Sequence, residues 1–195
     1  MGKSKGNAAV FIDRDGTVIK EKDYLRKIKD IELFPQTVRS LKLLKSAGFK
    51  LILITNQSGI GRGYLTENKL KNIHVYLQKL LKKKGTGFDA IYYCPHLPDA
   101  GCACRKPNLG LVKLAKTKFK IDLKRSYSIG DHKGDFLLGR NMGGKGIFVL
   151  TGHGRHEYAK FMKDRSIPRP HRIEKNIYSA AKWILSDRLE GYSTK

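Results

Sequence analysis

The chain is 195 residues long and carries 40 lysines and arginines against 17 aspartates and glutamates, a formal net charge of +23. That length fits one domain, residues 1–195, with enough interior to fold without a disulfide or a metal. No apolar run is long enough to span a bilayer, and Met1-Gly2-Lys3-Ser4-Lys5 leads into a strand instead of a signal-peptide core, so a cytoplasmic protein without membrane contact is expected.

The first strand is read at residues 8–13, an apolar run, Ala8-Ala9-Val10-Phe11-Ile12, that stops at Asp13. Asp15 follows one residue further on. A strand alternates its faces, so both carboxylates should point the same way at its carboxyl end, where open α/β sheets bind ligands. Gly16 lets the backbone turn sharply, and Thr17 offers a hydroxyl to hold the bend. Two like charges this close repel, and a hard divalent cation, magnesium by preference, makes the pair tolerable. The plainer alternative is an Asx turn at the end of an ordinary strand.

The connection over residues 18–34 is longer than a usual strand-to-helix loop and carries Glu21, Lys22, Asp23 and Tyr24. A helix is expected from Gln36 to Ala47, with Val38, Leu41, Leu44 and Ala47 on one face and Gly48 as its stop. The second strand, 50–54, runs into Thr55-Asn56-Gln57-Ser58. Gly59-Ile60-Gly61-Arg62-Gly63 lacks dinucleotide spacing and reads as a mobile substrate loop. A second helix spans Thr66 to Lys84, where Leu70, Ile73, Leu77, Leu80 and Leu81 make a core stripe between a Thr66 N-cap and a Gly85 stop.

After a third strand at 89–93, all three cysteines fall within eleven residues. Cys94-Pro95-His96 and Cys102-Ala103-Cys104 set two close pairs of soft ligands across a short loop, which suits tetrahedral zinc. Three is an odd number for disulfides, Cys102 and Cys104 are badly placed to bridge each other, and the expected compartment is reducing. Cys94, His96, Cys102 and Cys104 would leave the ion no open position, so its role should be structural, contributing on the order of 10 kcal/mol to local order. Arg105-Lys106-Pro107 comes directly afterwards.

Strands at 126–130 and 146–150 complete the pattern, the former leading into Asp131, with Asp135 beyond. A glycine- and histidine-rich loop past Thr151 and a basic stretch, 163–175, precede a last helix at about 177–189. His153 and His156 there could bind phosphate or face solvent, and the solvent-facing reading is preferred. Strands separated by helices imply an α/β fold with a doubly wound parallel sheet, and each candidate segment then lies just after a strand on one edge.

Asp13-Arg14-Asp15-Gly16-Thr17, Leu51 to Gln57, Arg105-Lys106-Pro107 and Tyr127-Ser128-Ile129-Gly130-Asp131 with Asp135 resemble, in order, the motifs of the haloacid-dehalogenase-like phosphatase superfamily. With the Cys/His loop and Thr55-Asn56-Gln57-Ser58-Gly59 followed by Arg62-Gly63, the chain is most similar to the D-glycero-D-manno-heptose 1,7-bisphosphate 7-phosphatases and the related histidinol-phosphatases, over roughly residues 9–152. The resemblance implies a Rossmann-like domain without a large cap, hence an open site. It implies a phosphomonoesterase in which Asp13 is the nucleophile and Asp15 the acid and base. Magnesium would sit on the Asp13 carboxylate, the Asp15 carbonyl and Asp131. Thr55 and Lys106 would hold the transferring group, and Asp135 would orient Lys106 or a metal-bound water. Glu21, Lys22, Asp23, Tyr24, Thr55, Asn56, Gln57, Ser58, Arg105 and Lys106 would meet a sugar bisphosphate, with Arg105 reading the second phosphate. His132 stands where the heptose enzymes often have lysine, and is counted with the substrate-binding residues.

The heptose reading leads and histidinol phosphate is the alternative substrate. A DNA 3′-phosphatase is the further rival, because that enzyme group carries similar Asp-x-Asp-Gly-Thr and Thr-Asn-Gln motifs and the charge is high; it usually lacks the Cys/His clamp. The lysines are scattered over polar helix faces without an aromatic-interleaved stripe, which favours a solvated surface over nucleic-acid binding, while still drawing phosphorylated ligands. A monomer with a small phosphorylated substrate is expected.

Overall fold

The computed structural model describes residues 6–193. Six strands, β1 (Ala9–Ile12), β2 (Lys50–Asn56), β3 (Ala90–Cys94), β4 (Tyr127–Gly130), β5 (Lys145–Val149) and β6 (Arg172–Glu174), form one parallel sheet in the order β3-β2-β1-β4-β5-β6. The helices are α1 (Thr37–Ser46), α2 (Glu67–Lys83), α3 (Gly110–Phe119), α4 (Lys133–Asn141), α5 (Gly154–Lys163) and α6 (Ile177–Ser193). The chain starts in the middle, steps outward to β3, then crosses back to β4. That reversal puts a crevice beyond the carboxyl ends of β1 and β4, the usual ligand position in such a sheet.

Burial follows the two-residue period of the central strand. Val10 and Ile12 join Leu51, Leu53, Ile129 and Val149 under α1, α2 and α6, where Leu41, Leu44, Ile73, Leu77, Ala181 and Ile184 are buried. Ala9 and Phe11 turn the other way with Ile52 and Ile54, against Leu111, Val112 and Ala115 of α3 and Leu138 of α4. All four residues of β1 are buried, as expected for a strand covered on both faces. Among the described residues no helix is long and apolar enough to cross a membrane.

The expected helix ends hold. Thr66 Oγ1 accepts from the Lys69 N–H at 3.3 Å to cap α2, and Gly48 and Gly85 follow α1 and α2 at φ +80 and +75. Two elements at the far end depart from the sequence reading. The glycine- and histidine-rich segment contains α5, anchored by Phe161 against Phe136 and Phe148, and the basic stretch contains β6, paired to β5 from Ile147↔Arg172 to Val149↔Glu174. Arg172-Ile173-Glu174 has one apolar side chain, so its strand character comes from a partner distant in sequence. The last helix starts at Ile177 as expected but continues to Ser193.

The long connection after β1 folds back as a small flap. The Lys20 N–H donates to the Glu32 carbonyl at 2.8 Å and the Phe34 N–H to the Val18 carbonyl at 3.2 Å, while Val18, Ile19 and Leu25 are buried beneath it. It is no separate cap, so the crevice stays open. The bend itself is held by backbone: Gly16 sits at φ +72, and the Arg14 carbonyl accepts from the Val18 and Ile19 N–H groups at 2.9 and 3.0 Å. Thr17 does not brace it as expected, because its buried hydroxyl has no hydrogen-bond partner among the described residues.

Candidate active site

A cavity of about 520 Å³ opens over the ends of β1, β2 and β4. Asp13 adds one more rung beyond β1, its N–H donating to the Ile129 carbonyl at 2.9 Å. Its carboxylate meets the Lys106 ammonium, which also lies 2.6 Å from Asp135 Oδ1 and donates to the Ile54 carbonyl at 2.9 Å. Asn56 grips that lysine by its backbone: Oδ1 accepts from the Lys106 N–H at 3.0 Å and Nδ2 donates to its carbonyl at 3.3 Å. Asp135 in turn caps α4, Oδ2 accepting from the His132 N–H at 3.0 Å.

Asp131 is wholly buried. Its Oδ2 accepts from the His153 N–H at 2.8 Å, and its Oδ1 lies 3.2 Å from His132 Nδ1. A Cβ on Gly16 or Gly152 would collide with this carboxylate, so the loops after β1 and β5 close around it only because both positions are glycine.

Asp15 is held differently. The Arg14 Nε donates to both of its oxygens at 3.1 Å and NH2 to Oδ1 and Oδ2 at 3.0 and 2.8 Å; Gln57 Nε2 adds a bond to Oδ2 at 2.8 Å. Gln57 also accepts from Arg14 NH2 at 3.0 Å and donates to Thr55 Oγ1 at 2.7 Å. The two aspartates therefore have separate cations, Lys106 for one and Arg14 for the other.

Four carboxylates, Asp13, Asp15, Asp131 and Asp135, meet two permanent cations here, and the excess shows in the titration. Burial pushes the Asp13 carboxyl up, Lys106 pulls it back, and Asp135, Asp131 and Asp15 push it up again, leaving it well above the usual carboxylate range. Burial works against the Lys106 charge, yet Asp13 and Asp135 outweigh it and raise the ammonium above its ordinary value. Burial likewise opposes the His132 imidazolium, but its bond to Asp131 and the charges of Asp131, Asp135 and Asp13 carry it up to about 9. A site with this surplus of buried negative charge fits a divalent cation.

A second cluster lies beside it. Cys94, at the end of β3, sits with its Sγ 3.5 Å from that of Cys102 and 3.2 Å from that of Cys104; Cys102 and Cys104 are 3.5 Å apart, and His96 Nδ1 is 3.6 and 3.2 Å from Cys94 and Cys104. Tetrahedral zinc with bonds of about 2.3 Å to sulfur sets ligand atoms roughly 3.8 Å apart, so this donor set needs to expand only slightly to fit one. Burial opposes the Cys102 thiolate, but hydrogen bonds from Cys104 and Cys94 bring it down to about 6. The loop continues directly into Arg105 and Lys106, so ordering the cluster orders them.

Residues 8–166 match the model of the family described as polynucleotide kinase 3 phosphatase. A Helicobacter pylori (strain J99) protein named D-glycero-beta-D-manno-heptose-1,7-bisphosphate 7-phosphatase is 43% identical over 146 residues, 74% of this chain and 84% of that protein. The chain belongs to that sequence family and to the heptose-1,7-bisphosphate 7-phosphatases of the haloacid-dehalogenase-like superfamily. A Thermosynechococcus vestitus relative bearing the heptose phosphatase name is 35% identical over 187 residues, 90% of this chain and 94% of its own. The D,D-heptose 1,7-bisphosphate phosphatase of B. bronchiseptica, crystallised with magnesium and phosphate, superposes with a TM-score of 0.82 at 30% identity, covering 92% of this chain and 99% of that one.

In this heptose phosphatase family member, Glu21, Asp23, Tyr24, Thr55, Asn56, Gln57, Ser58, Arg105 and His132 all line the cavity. Lys22 does not; it turns outward, Nζ 3.6 Å from Glu32. The Asn56 and Gln57 side chains are committed to Lys106 and Asp15, and so serve the site through those residues. His153, read as solvent-facing from the sequence, lines the cavity with Nε2 3.9 Å from Glu21, and Arg14, Leu25, Lys133 and Glu157 line it too. A glycine-flanked histidine after the fifth strand was the only available signal for His153. Tyr24 forms a wall, its ring 5.1 Å from that of Tyr64 in an edge-on pair.

His74 of α2 stands behind Arg14, with Nε2 3.1 Å from NH1. Burial, then Arg14, drive its pKa from 6.5 down to about 3, with Asp15 opposing. The folded protein thus refuses a proton that the unfolded chain takes up below pH 6.5, so this contribution to stability is complete above that pH and drains away as pH falls towards 3. Between pH 7 and pH 5 the loss should be on the order of 2 kcal/mol, and a His74→Gln variant should lack it. Urea midpoints for both proteins at the two pH values check this; parallel pH dependence contradicts it.

Proposed function

We propose that this phosphatase removes the 7-phosphate of D-glycero-D-manno-heptose 1,7-bisphosphate, with Asp13 as nucleophile, Asp15 as acid and base, magnesium at Asp13, Asp131 and the Asp15 carbonyl, and structural zinc at Cys94, His96, Cys102 and Cys104. The single observation that carries the chemistry is the buried array of Asp13, Lys106 and Asp135 under an open cavity, with Asp131 at its side. The relatives' names support the substrate.

A phosphate monoester needs its charge neutralised, an in-line nucleophile and a proton for the departing alkoxide. An Asp13 oxygen attacks phosphorus, forming a new P–O bond as the bond to the sugar oxygen breaks. The electron pair goes to that oxygen, which takes a proton from Asp15. Asp15, now ionised, removes a proton from water; the water oxygen attacks the aspartyl phosphate, and Asp13 leaves as carboxylate with inorganic phosphate released. Lys106 and Thr55 hold the phosphoryl oxygens, and Asp135 keeps Lys106 in place. Magnesium held by Asp13, Asp131 and the Asp15 carbonyl would supply positive charge to offset the surplus of carboxylates. Arg105, on the cavity rim beside the zinc loop, receives the second phosphate.

Phosphate release should be fastest from the heptose bisphosphate, slower from histidinol phosphate, and fall to background in an Asp13→Asn variant. The match to the polynucleotide kinase 3 phosphatase family and the charge of +23 favour one competitor, a 3′-phosphorylated oligonucleotide. If that substrate were hydrolysed better at about 200 mM salt, where purely electrostatic attraction fades, the sugar assignment would fall. For the clamp, purified protein should contain about one zinc per chain, lost together with thermal stability in a Cys104→Ser variant. Metal analysis showing fully stable, zinc-free protein would rule the clamp out.

A further inference from the structure

Arg14 occupies the place between the two aspartates where a strand residue faces away from them, towards the side of Val10 and Ile12. It is only 1% exposed, although a guanidinium is among the costliest groups to bury without partners. Among the described residues its single carboxylate partner is Asp15, gripped through Nε and NH2 at 2.8–3.1 Å. On the opposite side NH1 meets His74 Nε2 at 3.1 Å. A guanidinium has donors only, so Nε2 must be the acceptor and the ring neutral, with its proton on Nδ1. His74 is itself buried, on a helix whose Leu70, Ile73 and Leu77 are locked in the core. The fork therefore has a rigid back wall.

We infer that Arg14, braced by His74, is a positioning residue that sets the direction of the Asp15 carboxylate, so that this group is presented to the leaving oxygen in the first half-reaction. The inference rests on the function proposed above. Gln57 holds one end of the arrangement, bonding Asp15, Arg14 and Thr55 at once. Thr55 stands at the end of β2, so the proton-handling carboxylate and the phosphoryl-binding edge share one hydrogen-bonded unit. Loss of the fork leaves Asp15 with Gln57 and free to rotate, while Asp13, Lys106 and Asp135 keep their own contacts. The defect should therefore appear where the leaving group needs a proton, and stay small where it does not.

Single-turnover release of the leaving group, with enzyme in excess and magnesium present, separates these cases. The heptose bisphosphate expels an alkoxide that must be protonated. p-Nitrophenyl phosphate expels a stable phenolate as Asp13 takes the phosphoryl group. An Arg14→Met variant should release the sugar on the order of a hundredfold more slowly than wild type but nitrophenolate within about threefold, the range expected for loss of general-acid catalysis. Arg14→Lys, with the charge but no fork, should not restore the sugar rate. A second pair leaves the buried cation in place: His74→Phe, without an acceptor, should show the same split in weaker form, and His74→Gln, with one, should stay near wild type. Equal slowing of both substrates in the folded Arg14 and His74 variants, or no slowing of either, overturns the inference. Wild-type protein that releases neither leaving group overturns instead the reading of the site on which it depends.

Discussion

Everything at the carboxyl edge of this sheet depends on where the Lys106 ammonium is held. It is buried with Asp13 and Asp135 and bonded to the Ile54 carbonyl, a fixed positive point among side chains that would otherwise repel one another. Removing one member of such a buried pair typically costs on the order of 3–5 kcal/mol, because the remaining charge is left without water or partner. The array thus couples the end of β1, the end of β2 and the start of α4, and the elements cannot settle without bringing Asp13 and Asp135 together around Lys106.

The lysine is on a loop, and loops rarely hold a charge this accurately without help. Two neighbours supply it. Asn56 clasps both backbone groups of Lys106 from the end of β2, and the Cys/His cluster gathers Cys94, His96, Cys102 and Cys104 within the eleven residues that lead up to Arg105 and Lys106. The same division recurs on the other aspartate, where Arg14 is anchored by His74 from α2 and by Gln57 just past the end of β2. Lys106 and Arg14, which stand outside the regular elements, are each gripped by a side chain from one, Asn56 of β2 and His74 of α2, which is what a site needs if its geometry must survive substrate entry.

Much of this was legible because local chemistry carried it. An apolar run ending in Asp-x-Asp-Gly, a Cys/His spacing suited to one tetrahedral ion, and a Thr66 to Gly85 helix bounded by its own cap and stop all declare themselves within a few residues. What escaped depends on partners far along the chain. β6 exists through pairing with β5, and α5 through the packing of Phe161 on Phe136 and Phe148. Arg14 resembles a solvated charge until α2 docks and puts His74 against it. Asn56 and Gln57 look like ligands for substrate, and only the folded positions of Lys106 and Asp15 reveal that protein groups already claim them. The hydroxyl of Thr17, well placed in sequence to hold the bend, is made redundant by the Arg14 carbonyl.

The account as a whole requires that a phosphoryl group pass through a covalent bond to Asp13. Acid quenching of the protein during turnover with magnesium and the heptose bisphosphate, followed by borohydride reduction, converts an acyl phosphate to an alcohol that peptide mass spectrometry can locate. The expected result is reduction at Asp13 alone, dependent on magnesium. Label at Asp15, or none at any aspartate while phosphate is being released, would contradict it.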